Sequence, residues 1–404
     1  MTWTVSTLGE TVDHMGLIQT GPFGSQLHQS DYVNEGVPVI MPKDIVDGRV
    51  DVTTVACVAE EMAMRLSRHQ LCPRSIVLPR RGEIAKRALV RDDQAGWLCG
   101  TGCLQIVVEG TALVPEYLYY YMDQAHVVRW LEQHAVGTTM LNLSTSILAD
   151  LPIRYPPPAV QVRIANILSA YDDLIENNRR RMALLEEAAR QLYREWFVRL
   201  RFPGHEHTRI TNGVPEGWEW NTLGDLCKEI RDTVKPEALE PDTPYIGLEH
   251  MPRRSISLSE WDTADQVISG KHRFREGEIL FGKIRPYFHK VGIALVDGVA
   301  SSDAIVIRPI DQKVRGFVLM TVSSDPFVAM TAQTMREGSK MPRADWKQMQ
   351  AYSTPLPPDG LLGSFESAIQ RIVEQLKSLS LGNKKLRAAR DLLLPRLMSG
   401  EIAV

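Results

Sequence analysis

The sequence has no apolar run approaching the ~18 residues that a membrane span needs, and its opening, MTWTVSTLGE, is not a signal peptide. A membrane partner is therefore not expected. Cysteine is scarce and unpatterned: Cys57, Cys72, Cys99, Cys103 and Cys227 form an odd, scattered set without a CxxC pair. That points to reduced, partly buried thiols in a cytoplasmic protein. A zinc site through Cys99 and Cys103 is the one metal alternative their spacing leaves open, and no metal is expected. Net charge is also lacking. At −3 over 404 residues it does not announce a nucleic-acid binder, although clustered basic residues would be hidden in that sum.

Catalytic motifs are missing too. No GxxxxGK[ST] phosphate loop occurs; Gly270-Lys271 and Gly282-Lys283 lack the upstream glycine and the following hydroxyl. There is no GxGxxG after a strand, no GxSxG elbow and no HExxH, and the ten histidines show no metal spacing. These absences favour a binding and scaffolding protein over an enzyme.

Two long heptad stripes are present. Ile164, Leu168, Tyr171, Ile175, Asn178, Met182, Leu185, Ala189, Leu192 and Trp196 recur at alternating spacings of four and three. At 1.5 Å per residue, the 160–200 helix carrying them would run to roughly 60 Å. Phe365, Ile369, Ile372, Leu376, Leu379, Asn383, Leu386, Arg390, Leu393 and Leu397 repeat the pattern. Either stripe alone is also compatible with a helix packed on its own domain; two of matching length predict a mutual coiled coil. Asn178 falls at d when Asn383 falls at a, so an antiparallel pairing, which sets a against d, lets the two amides bond. That register opposes Ile164 to Leu397, Leu185 to Leu376 and Trp196 to Phe365. It also opposes Tyr171 to Arg390, a candidate ring–guanidinium contact. Gly382 is the position where a kink is expected.

The chain is also internally repeated. Residues 3–10 reappear at 218–225, Pro38-Val39-Ile40 at 244–246, and the segment 75–80 at 278–283. Residues 101–106 correspond to 302–307, Gly137-Thr138-Thr139-Met140 to Gly338-Ser339-Lys340-Met341, and Pro156-Pro157 to Pro357-Pro358. The preserved order predicts an α+β protein: two duplicated mixed α/β domains (1–155 and 205–357) separated by the antiparallel coiled coil, with pseudo-twofold character. The helices would occupy 156–204 and 358–404, with Pro-rich joins. Strands are expected at Val37–Met41, Ser75–Leu78, Leu104–Val108, Glu278–Phe281 and Ala304–Ile307, and helices at Tyr117–Glu132 and Gly316–Thr334.

Basic residues concentrate after the same strand in both halves, in LPRRGEIAKRALVR and LFGKIRPYFHKVG. Arg80, Arg81, Lys86 and Arg87 in the first, and Lys283, Arg285 and Lys290 in the second, are candidates for reaching phosphates and base edges. The alternative is a solvated, turn-flanking surface. Tyr287 and Phe288 are suited to stacking or to core packing. The turns holding Thr138 and Thr139, and Ser339 and Lys340 with Arg343 just beyond, offer backbone amides of the kind that hold anions.

With these residues in view the chain resembles the specificity subunits of type I restriction–modification systems. The likeness is carried by GPFGSQLHQSDYVNEGVPVI at 21–40, by the segment from Gly137 through NNRRR, and by RDLLLPRLMSGEI at 390–402. It implies DNA contacts by Ser25 and Gln26, a signature without a clean counterpart in the second half. It further implies a non-catalytic subunit whose two target recognition domains each read half of a bipartite double-stranded DNA target. Two methyltransferase subunits and restriction/translocase subunits would be its partners. No cofactor is expected on this chain; S-adenosylmethionine, ATP and Mg2+ would belong to the partners. The competing reading is a stand-alone DNA-binding regulator or structural dimer.

Overall fold

The computed structural model describes residues 3–12, 16–53, 55–108, 112–137, 139–333 and 342–404. The chain forms two compact units, Met1–Asp173 with Leu386–Val404, and Leu174–Lys385. Both long helices contribute to both units.

The strands Ile76–Pro79 and Ile279–Gly282 are apolar at every position because they lie between two cores. In the first unit Ile76 and Leu78 enter one core, with Leu8, Leu104, Ile106, Tyr117 and Leu148, while Val77 points into a second, with Ile40, Ile45 and Leu71. The second unit repeats the alternation. Ile279 and Phe281 join Phe317 and Phe365 in one core, and Leu280 joins Ile246 and Leu258 in another. A period of two with both faces covered gives a continuous hydrophobic run.

The topology repeats as well. Strands Leu17–Thr20, Cys103–Val107, Ile76–Pro79 and Ala88–Leu89 form an antiparallel sheet. Cys227–Ile230, Ala304–Pro309, Ile279–Gly282 and Val291–Ala294 form its counterpart, extended by Ser257–Leu258. A second sheet in each unit contains a parallel pair, Val37–Ile40 with Leu98–Cys99 and Pro244–Ile246 with Gly298–Ala300. A two-stranded ribbon completes each set, Thr4–Thr7 with Pro152–Tyr155 and Glu219–Thr222 with Ser353–Leu356. Even the turn leaving the ribbon is repeated: the Thr7 amide donates to Glu10 (2.9 Å) and the Thr222 amide to Asp225 (2.8 Å), the acidic side chain reaching back in the manner of a capping box. The duplicated α+β architecture with long helices is thus present.

Three details depart from the sequence pattern. The expected helix at Tyr117–Glu132 is two helices, Pro115–Tyr121 and Ala125–His134, and that at Gly316–Thr334 is Arg315–Val322 followed by Asp325–Gln333. In the second case the Ser323 hydroxyl bonds back to the Leu319 carbonyl (2.7 Å), and Pro326 fits only the first turn of a new helix. Pro158 starts the first long helix, Pro158–Tyr193, instead of standing in the join before it, since proline's missing N–H is no loss at a helix start. The second, Asp359–Ser399, runs through Gly382 without interruption.

In the second unit the Asn178 side chain donates to Asn383 (2.8 Å), and Trp196 lies against Phe365 with ring centroids 5.7 Å apart. These pairs run in opposite senses, so the helices are antiparallel. A π-helical turn at Arg194–Val198 ends the first helix and also brings Phe197 onto Phe365, at 4.7 Å. In the first unit the expected contact of Tyr171 with Arg390 is replaced. The Arg390 guanidinium donates to the carboxylate of Asp172, one residue along, which also accepts from the Tyr120 hydroxyl (2.7 Å). A charged acceptor outcompetes a ring face for a guanidinium. Glu186 has the matching part in the second unit, accepting from the Ser255 and Ser257 hydroxyls at 2.6 Å each.

Candidate nucleic-acid interface

In each unit the central strand delivers its basic residues to one backbone junction. The Arg80 amide donates to Gly102 (2.7 Å), the Leu143 amide to the Arg80 carbonyl (2.8 Å), and the Gly82 amide to Leu141 (3.0 Å). In the second unit the Lys283 amide donates to the Asp303 carbonyl (2.7 Å), the Ala344 amide to the Lys283 carbonyl (2.8 Å), and the Arg285 amide to the Pro342 carbonyl (2.9 Å). Arg81 bridges to Asn142 as Ile284 bridges to Arg343. The basic loop is thus tied to the segment just after the Gly-Thr-Thr or Gly-Ser-Lys turn. These two features are about 60 residues apart in sequence in both halves.

The first unit brings a third loop to this junction. Gly21 donates to the Cys103 carbonyl (2.9 Å), next to the Gly102 that takes Arg80. A side chain on Gly21 would meet the Gly100 carbonyl oxygen at 1.9 Å, so backbone approach alone demands glycine here. Ser25 and Gln26 follow on an exposed turn. The Gln26 side chain is engaged in holding it, accepting from the Phe23 amide at 3.1 Å.

The predicted cations separate into distinct groups. Arg81 and Arg285 are exposed and, among the described residues, form neither an ion pair nor a side-chain hydrogen bond. Lys283 is half-buried and likewise forms no ion pair there. Arg80 is half-buried, and among the described residues its Nε and the Asn142 side-chain oxygen are both enclosed and unpartnered. Asn142 was not singled out by the sequence pattern; only its place after the repeated turn could have marked it. Lys86 is neutralised by Glu83 (2.6 Å), and Arg343 is 3.4 Å from Asp303. Lys290 donates to the Leu248 carbonyl (2.6 Å), and burial, with Arg253 nearby, holds its pKa below the usual lysine value.

Arg87 leaves the candidate surface. It is buried, donates to the Tyr119 and Ala85 carbonyls at 2.8 and 2.9 Å, pairs with Asp123, and lies over the Tyr119 ring. An arginine that is buried and engaged at all three of its nitrogens is a packing residue. Of the two turns expected to hold anions, Thr139 is exposed, whereas Thr138, Ser339 and Lys340 lie outside the described residues. Cys99 and Cys103 are buried in the sheet; burial pushes the Cys99 thiol up to about 12 and raises that of Cys103 as well. Among the described residues no group of three or more His, Cys, Asp or Glu side chains that could hold a metal ion comes together at these thiols or elsewhere.

Comparison with known proteins places this geometry. Residues 19–187 match the family model described as the type I restriction modification DNA specificity domain. The chain is 23% identical over 397 residues to the type I restriction enzyme MjaIX specificity subunit of Methanocaldococcus jannaschii, covering 93% of this chain and 88% of that one. It is 23% identical over 278 residues to the type I restriction enzyme EcoDI specificity subunit of Escherichia coli, covering 62% and 61%. Among solved structures it resembles the type I restriction-modification S subunit from M. genitalium. The TM-score is 0.58 at 16% identity, over 98% of this chain and 96% of that one.

Proposed function

Because the chain belongs to the specificity subunits of type I restriction–modification systems, we propose that it reads a bipartite double-stranded DNA target, one half-site per globular unit. In this reading the paired helices are the spacer and the seat for two methyltransferase subunits, with restriction/translocase subunits added to that complex. The chain itself performs no chemistry. S-adenosylmethionine, ATP and Mg2+ serve the partners, where methyl transfer to adenine and translocation take place.

One observation carries the proposal: the same junction is built twice, from segments far apart in sequence, and each copy presents cations that no carboxylate neutralises among the described residues. Elsewhere the chain pairs its arginines readily, as in Arg74–Glu116 and Arg308–Glu278. Arg80 and Lys283 hold equivalent positions, and each copy adds an exposed arginine at a different one, Arg81 and Arg285; such cations suit contact with a polyanion, and guanidinium groups also read guanine edges. A structural dimer would have no use for them.

The test is a pair of double variants, Arg80→Ala with Arg81→Ala and Lys283→Ala with Arg285→Ala, in the assembled methyltransferase complex. Each is expected to weaken DNA binding and flatten its salt dependence while leaving assembly intact. Unaltered affinity and salt slope in both would show that the reading surface lies elsewhere.

A further inference from the structure

The matched backbone bonds put Arg285 where the first unit has Gly82, since each donates its amide to the residue after the Gly-rich turn segment. Gly82 has φ +80 and Arg285 has φ +49, so both are left-handed. A side chain on Gly82 would meet nothing within 4 Å; the glycine is there for its backbone alone. The second unit has put a long cationic side chain into the same conformation, which L residues other than glycine occupy only against strain.

The surroundings make that conformation rigid. Arg285 precedes the buried Pro286, its carbonyl accepts from Phe288 (2.9 Å), and its amide is held by Pro342. The guanidinium lies 5.9 Å from the Phe288 ring centroid, and that of Arg253 lies 4.2 Å from the same centroid. Two guanidinium groups thus share one ring, with Tyr287 exposed beside it and no carboxylate paired to either among the described residues. Like charges held together on a strained, over-determined loop leave a large electrostatic demand for an external acceptor. The first unit has nothing equivalent, because Glu83, Ile84 and Ala85 follow Gly82 and Ile84 is buried.

We infer that Arg285 is a specificity-determining residue of the second unit, presenting its fork to a guanine edge, and that the first unit reads its half-site without a counterpart. Arginine on guanine O6 and N7 is the commonest specific contact, and a preformed fork gives up little freedom on binding. The inference rests on the reading of these loops as the DNA surface.

The neighbouring unit supplies the decisive variant. Arg285→Gly restores the residue that the same backbone holds at Gly82, so it removes the guanidinium without disturbing the loop, and thermal stability should be unchanged or higher. Methylated adenines are mapped genome-wide in cells carrying the complex with this variant. The half-site of the second unit is identified as the one that survives exchange of residues 1–155. Relaxation at one guanine of that half-site, with about tenfold to a hundredfold less discrimination there and the other half-site unchanged, is the expected result. A uniform loss across all sites with a reduced salt slope would make Arg285 a phosphate contact and overturn the inference. So would an unchanged target, or loss of the methyltransferase subunits on co-purification. Because the Arg80 and Arg81 double variant tests the loop reading without touching Arg285, the two ideas can fail separately.

Discussion

At the scale of single residues, the basic run of the first unit contains two kinds of arginine that the sequence does not distinguish. Arg81 is exposed and its side chain has no partner among the described residues, whereas Arg87, six positions on, is buried against Tyr119 and Asp123. Both stand in the same charged stretch, and charge density alone places them together. What separates them is the short strand Ala88–Leu89 beginning right after Arg87, which turns that side chain inward toward Tyr119. Strand membership of two residues is below what pattern reading resolves. The consequence is measurable in denaturant unfolding. Arg87→Ala should cost about 1–3 kcal/mol, because it leaves buried acceptors unpaired. Arg81→Ala should stay within about 0.5 kcal/mol of the parent and instead reduce DNA affinity. The same limit applied to Tyr171 and Arg390: the heptad brought the two near each other, but the acceptor won by Arg390 is set by Asp172, which no stripe includes.

At the scale of elements, the long helices were the most legible part of the chain, for a physical reason. A heptad stripe is read over many turns, so a local error cannot shift it, and an Asn within each stripe fixes the phase. The amides of Asn178 and Asn383 do bond in the second unit, with Asn383 also donating to the Ile175 carbonyl at 3.4 Å. The helix end was less legible. The π turn at Arg194–Val198 inserts Phe197 beside Trp196, and periodicity has no term for an inserted residue. Replacing Asn178 with Leu should cost about 1–3 kcal/mol, since Asn383 loses its partner. Replacing both should recover most of that loss, because two apolar groups satisfy each other, while alternative registers become accessible. Thermal melts of the single and double variants decide this. A double variant less stable than the sum of the singles would mean that the amides serve something other than each other.

At the scale of the whole chain, duplication was readable because gene-scale repeats preserve order even when residues diverge, and the matched strands and ribbons share one topology. The junction was not readable. Its two halves come from segments that only sheet formation brings together, and its equivalence shows in backbone bonds, which leave no side-chain signature. The compact units also differ from a simple sequence division, since each includes parts of both long helices, held by Asp172 in one and Glu186 in the other. Any exchange of a recognition unit must therefore retain the partners of those carboxylates: Tyr120 in the first unit, Ser255 and Ser257 in the second.

In the proposed function each unit reads its own half of the target. This is tested most directly by exchanging residues 1–155 for the equivalent segment of a relative that retains Tyr120, then mapping methylated adenines across the genome with the assembled complex. The expected target has one new half-site, while the other half-site and the spacing are unchanged. A target altered in both halves would contradict it.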